Sequence, residues 1–156
     1  MDIGSQASWD LCVTLPLINK ISILGVTPNG VNIKTSIKTT KQYTAIAAVT
    51  TQTLAVGSMF CVGIDFIDLS GRILRQLNST LSPWSMVTTP DEFLMMSALT
   101  DNSVVKLNLE DKMIVFRRKV NQIQDPRGVA YTMDGCLIVA DISMSTLHLI
   151  GPDGIW

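Results

Sequence analysis

The sequence is short of charge, of histidine and of cysteine, and each shortage excludes something. Charged residues make up 16% of the 156 positions, against 47% hydrophobic. That balance excludes a disordered, collagen-like or charge-rich tail protein. The formal charge of −1 gives no electrostatic case for a nucleic acid or an anionic membrane. No apolar run approaches the roughly 18 to 20 residues of a membrane helix. The nearest, Trp9 to Val26, is interrupted by Asp10, Pro16, Asn19 and Lys20. The same stretch makes a poor signal peptide, with no basic start and Lys20 inside its apolar region. Mean hydropathy is nevertheless +0.33, so the apolar residues must pack inside a water-soluble fold.

Cys12, Cys61 and Cys136 are far apart and form neither a C-x-x-C pair nor a Cys/His metal spacing. They read as small buried hydrophobes in a reducing, cytoplasmic compartment. Asn78-Ser79-Thr80 has the form of a glycosylation acceptor, but without a secretory signal it reads as a polar turn. His148 is the single histidine. With no oriented Ser or Cys in view it reads as a surface or structural residue rather than a base. No phosphate-binding glycine loop occurs. With no catalytic set, cofactor or metal site in view, the chain is expected not to be an enzyme.

What the sequence does contain is a repeat. Turn signals recur at Pro28-Asn29-Gly30, Asp68-Leu69-Ser70-Gly71, Asn108-Leu109-Glu110-Asp111 and Gly151-Pro152-Asp153-Gly154. Their last residues are 41, 40 and 43 positions apart. Between them the same order returns. A small-residue segment comes first (Ala45 to Val49, Trp84 to Val87, Gly128 to Tyr131), then a polar turn. An apolar run follows (Thr53 to Gly57, Phe93 to Ser97, Cys136 to Ala140), then an alternating run (Ile64 to Leu69, Val104 to Leu109, Leu147 to Ile150). A fourth segment follows the turn (Arg72 to Leu77, Lys112 to Lys119). No long 3.6-residue period persists, so a helical reading fails.

Four short strands per period of about 40 residues describe a β-propeller blade. The expected fold is all-β: a β-propeller-like arc of four-stranded antiparallel blades, a fragment of a six-bladed ring, with a small, strained four-bladed ring as the competing reading. The whole of 1–156 is then one partial domain. It has an incomplete blade at 1–41, blades at 42–80 and 81–122, and a last blade at 123–156 lacking most of its outer strand. In the first blade, Trp9 to Leu15, Ile18 to Val26 and Val31 to Lys38 would be strands two to four. Nine of the twelve basic residues (Lys34, Lys38, Lys41, Arg72, Arg75, Lys112, Arg117, Arg118 and Lys119) fall in or beside fourth strands. Basic side chains on an outer strand discourage edge-to-edge pairing. An arc of this kind leaves two apolar blade faces uncovered, and further blades or an oligomer would be needed to close the ring.

The last copy carries the sharpest pattern: Asp125-Pro126-Arg127-Gly128-Val129-Ala130, then Asp134-Gly135, then Val139-Ala140-Asp141. This resembles the NHL repeat. The copy from Ser82 is degenerate, and Ile46 to Leu77 resembles the diverged propeller segments of tripartite-motif-like proteins. The resemblance covers about residues 44–156. It implies a recognition propeller for a protein partner or substrate of a TRIM-NHL-like ubiquitin ligase. Ligase activity itself would reside in RING and B-box modules whose spacings this chain lacks. Single-stranded RNA is the alternative ligand. A calcium-dependent lactonase-type hydrolase is a third reading, weakened because the second-strand ends matching Asp141 are taken as Gly57 and Ser97. Asp141 itself reads as an acceptor of backbone N–H groups in the following turn. The candidate binding residues lie on the rim: Tyr43, Trp84 and Arg127 lead into first strands, and Met59, Phe60 and Ser143 leave second strands. No membrane contact is expected.

Overall fold

The computed structural model describes residues 9–111, 114–119 and 123–151. The turn expected at Pro152-Asp153-Gly154, the basic Lys112 and residues 1–8 lie outside these. Among the described residues, fourteen strands form four antiparallel sheets. The first contains β1 (Trp9–Leu15), β2 (Lys20–Thr27) and β3 (Gly30–Lys38). The second is β4 (Ala45–Ala48), β5 (Thr53–Ser58), β6 (Cys61–Asp68) and β7 (Ile73–Leu77). The third is β8 (Pro83–Thr88), β9 (Phe93–Ala98), β10 (Ser103–Asn108) and β11 (Ile114–Lys119). The fourth is β12 (Pro126–Tyr131), β13 (Leu137–Asp141) and β14 (Thr146–Ile150). Each sheet is a meander in which neighbours in sequence are neighbours in space. The leading strands β4, β8 and β12 pack in succession, β4 on β8 and β8 on β12, and β1 packs against β4. This is a β-propeller-like arc.

The strands follow from β-branched and apolar residues in alternation, and the turns from short polar side chains. At the β6–β7 turn, Asp68 accepts N–H bonds from Ser70 at 2.9 Å and Arg72 at 3.0 Å. Gly71 closes that turn at φ +88°, and a Cβ there would sit 2.8 Å from the Lys38 carbonyl oxygen of the preceding sheet. Only glycine suits both the dihedral and the approach. A short 3-10 turn at Pro16–Ile18 joins β1 to β2, so β2 begins at Lys20 rather than at Ile18.

Alternation sorts each strand onto two neighbours. In β5, Leu54 and Val56, with Ile67 of β6, face Ile21, Ile23 and Ile37 of the first sheet. Ala55 faces the third sheet with Leu94, Met96, Val105 and Leu107. In β9, Met95 turns the other way, toward Leu137, Val139 and Ile150 of the fourth sheet. Each such side chain larger than alanine contributes about 1.5 to 3 kcal/mol on burial. Three inter-sheet cores, rather than one central core, therefore hold the arc together.

The outermost strands β3 and β7 carry Lys34, Lys38 and Arg75. Lys41 does not belong with these edge residues. It lies in the connection to β4, where its ammonium pairs with Asp65 at 2.7 Å.

Candidate binding face

At one end of the sheets, the loops leading into β4, β8 and β12 meet the turns that follow β5, β9 and β13. Of the six expected rim residues, Tyr43, Met59, Phe60 and Ser143 belong to these segments, and Trp84 and Arg127 are the second residues of β8 and β12. Their surroundings differ.

Tyr43 is in the core, 4% exposed among Ile21, Ile37 and Leu54. Its hydroxyl donates to Asp65 at 2.6 Å. Burial and that carboxylate push the phenol well above its usual range. It cannot act as a surface anchor. Asp65 also accepts from Lys41 at 2.7 Å and from Gln76 Nε2 at 2.8 Å. Burial raises its carboxyl, and the three donors outweigh burial, so it lies below the usual carboxylate range.

Trp84 and Arg127 form a pair. The guanidinium carbon stands 3.9 Å from the centroid of the Trp84 ring. Asp125 holds the guanidinium from the other side, with Arg127 Nη2 donating at 2.9 Å and Nε 2.8 Å away. The Ser97 hydroxyl donates to the Arg127 carbonyl. The two residues are 43 positions apart, one blade period, and that spacing was the signal that they would be neighbours on adjacent leading strands. Arg127 is thus locked between a ring and a carboxylate, with its charge matched locally.

Met59 and Phe60 form the turn between β5 and β6. The Met59 N–H donates to the Thr44 hydroxyl at 2.8 Å, which ties the turn to the loop before β4. Phe60 stays 63% exposed. Ser143 is exposed in the β13–β14 turn, beside exposed Ile142 and Met144. Ile142 and Val62, two positions from Phe60, are apolar side chains that the sequence pattern did not single out.

Asp141 organises the Ser143 turn. Its oxygens accept N–H bonds from Gln124 at 2.7 Å, Asp125 at 3.2 Å and Met144 at 3.2 Å. Burial raises its carboxyl, and these backbone donors more than offset that, leaving it below the usual range. The expected turn role is extended by two bonds to the loop before β12. These bonds give both Asp141 oxygens backbone partners. The register also corrects an alignment. Pro83 and Pro126 pair with Ala98 and Asp141, so the match to Asp141 in the third sheet is Ala98, not Ser97. Among the described residues, no group of three or more His, Cys, Asp or Glu is placed to hold a metal. His148 Nε2 lies 3.0 Å from the Thr146 hydroxyl and 3.8 Å from Asp141.

A cavity of about 240 Å³ opens between the leading strands, lined by Asp10, Cys12, Ile46, Ala47, Met86 and Thr88. Burial first, then the Asp10 charge, raises the Cys12 thiol, which disfavours the thiolate needed of a nucleophile.

No protein-family model and no curated protein sequence matches the chain. Solved structures do. Virginiamycin B lyase from Staphylococcus aureus superposes with a TM-score of 0.71 at 19% identity, over 93% of this chain and 50% of that one. A streptogramin B lyase gives 0.71 at 16% identity, over 93% and 49%. A Bacteroides caccae protein of unknown function gives 0.69 at 16%, over 95% and 65%. The chain therefore spans about half the length of the two lyases. At such identities the likeness establishes the propeller fold alone. It also overturns one expectation. Proteins of this fold include lyases, so the lack of a recognisable catalytic set in the sequence does not make the chain a non-enzyme.

Proposed function

We propose that this chain supplies a recognition face of a β-propeller, and that its ligand is a protein. The observation that carries this reading is the exposure of apolar side chains at one end of the arc. Phe60 is 63%, Val62 62%, Ile142 61% and Met144 47% exposed, on or beside turns that in a lone domain would be polar. The Trp84–Arg127 stack belongs to the same end. Aromatic, methionine and arginine side chains are the types enriched at protein interfaces. The resemblance of the last copy to the NHL repeat supports the finer reading, a partner- or substrate-recognition propeller of a tripartite-motif-like ubiquitin ligase. Three unpaired cysteines support a reducing compartment such as the cytoplasm. Asp125 matches the Arg127 charge, which favours a protein over single-stranded RNA, since RNA calls for surplus positive charge beside the stacking ring.

The test is enrichment of partners from a cell lysate with three forms of the chain. A specific partner should be held by the wild type and by Leu74→Ser, which alters only the outer strand β7. It should be lost with Phe60→Ser combined with Met144→Ser. Retention by the double variant would sink the reading. So would a salt-sensitive shift of mixed-sequence single-stranded RNA that the double variant abolishes.

A further inference from the structure

Among the described residues, two sheet faces at the ends of the arc are covered by no other sheet. On the fourth sheet the outward rows are Ala130, Ile138 and Leu149, then Ala140 and Leu147. Leu147 is 74% and Leu149 58% exposed. On the first sheet the outward rows are Leu11, Leu24 and Ile33, then Val26 and Val31. Leu11 is 52%, Ile33 66% and Val31 63% exposed.

Both faces repeat surfaces that are buried elsewhere in the same molecule. Leu54, Leu94 and Leu137 hold equivalent places in the ladders, opposite Ala48, Thr88 and Tyr131. Ile138 therefore matches Ala55 and Met95, which are 0% and 6% exposed against the next sheet. Counted back from the turn, Val26 pairs with Gly30's neighbour Val31 as Ile67 pairs with Ile73. Leu11 then matches Val56, which is fully buried against the preceding sheet. The fourth sheet's outward face is thus a forward blade face without its follower. The first sheet's is a rear blade face without its predecessor. The chemistry that docks sheet on sheet three times inside the arc is the chemistry displayed at its two ends.

We propose that these faces dock on each other between two copies of the chain, the fourth sheet of each against the first sheet of the other, closing a two-fold ring. A head-to-tail contact closes when its rotation divides the circle and runs on as a filament when it does not. Here the arc covers 50% and 49% of two propeller chains, so two arcs restore the length of one such chain. The two contacts form together, and each raises the effective concentration of the other.

The experiment is the solution mass of the intact 156-residue chain by light scattering across a dilution series. The expected result is a species of twice 17.0 kDa that does not grow with concentration. A monomer would overturn the proposal and leave the faces to further blades of a longer polypeptide. An open series of larger species would overturn the closure. Two variants fix the geometry, and both change only residues exposed in the arc. Leu147→Asp with Leu149→Asp blocks the fourth-sheet face, and Leu11→Asp with Ile33→Asp blocks the first-sheet face. Each alone should fall to 17.0 kDa. Their equimolar mixture retains one intact pair of faces and should again form a two-chain species, weaker than the wild type. A mixture that stays monomeric, or either variant that stays dimeric alone, would refute the head-to-tail contact. Circular dichroism confirms that each variant keeps its strands.

Discussion

Two buried aspartates hold the loops that lead into leading strands, and they do it with different partners. Asp65 is 5% and Asp141 2% exposed. Asp65 collects side-chain donors, from Lys41 and Tyr43 in the loop before β4 and from Gln76 in β7. Asp141 collects backbone donors, from Gln124 and Asp125 before β12 and from Met144 in the turn after β13. Side-chain donors can turn back to water when their acceptor is lost. Backbone donors are fixed by the chain path and cannot. The same carboxylate therefore has a different structural weight at the two sites.

The sharpest test is removal of each carboxylate. Asp141→Ala strands three N–H groups at the edge of a sheet, and should cost about 3 kcal/mol in urea unfolding. Asp65→Ala should cost less, about 1 to 2 kcal/mol. Lys41 is half-exposed and Gln76 lies on an outer strand, so both regain water. Only the Tyr43 hydroxyl is left buried. Equal losses at the two sites would break the comparison. Tyr43→Phe should cost the least, about 1 kcal/mol, because Asp65 keeps two donors and the ring keeps its packing. A loss several times larger would mean that the hydroxyl organises the loop rather than joining it.

The same contrast explains what could be read from the sequence. The period near 40 residues, the four-part order within it and the basic outer strands were legible, because alternation and turn chemistry are local. Asp141 was legible for the same reason. Its donors are backbone groups that any sequence supplies, so the requirement falls on one residue at a strand end. The Asp65 site was not. It needs Lys41, Tyr43 and Gln76 together, up to 24 residues from the carboxylate, and no single position advertises the set. Tyr43 accordingly reads as a rim aromatic and sits in the core. Trp84 and Arg127 were each visible, but their contact emerges only when equivalent positions of adjacent blades are taken as neighbours. The exposed Val62 and Ile142 carry no signal, since an apolar residue beside a turn looks like the end of a strand.

Titration separates the two sites where mutation only ranks them. Both carboxyls lie below their ordinary range in the folded chain. A depressed folded pKa adds stability that is fully present above the unfolded value, about 4, and is lost as pH falls through the folded value. Both sites therefore contribute to loss of stability in acid. Asp68, Asp91 and Asp134 are lowered too, and Asp141→Asn removes one member of this set, so its stability should fall less steeply below about pH 4. In alkali the sites part. Tyr43 is raised above its ordinary value, mainly by burial and then by Asp65. A raised folded pKa adds stability that is present below the unfolded value, about 10, and is lost as pH rises through the folded one. The backbone donors at Asp141 have no such group among them. Tyr43→Phe should flatten the alkaline limb of a urea-midpoint profile and soften the acid limb only by the one donor it takes from Asp65, while Asp141→Asn softens the acid limb and leaves the alkaline limb in place. An alkaline limb unchanged in Tyr43→Phe would show that the phenol does not keep its proton by burial against Asp65, and would remove the side-chain half of the comparison.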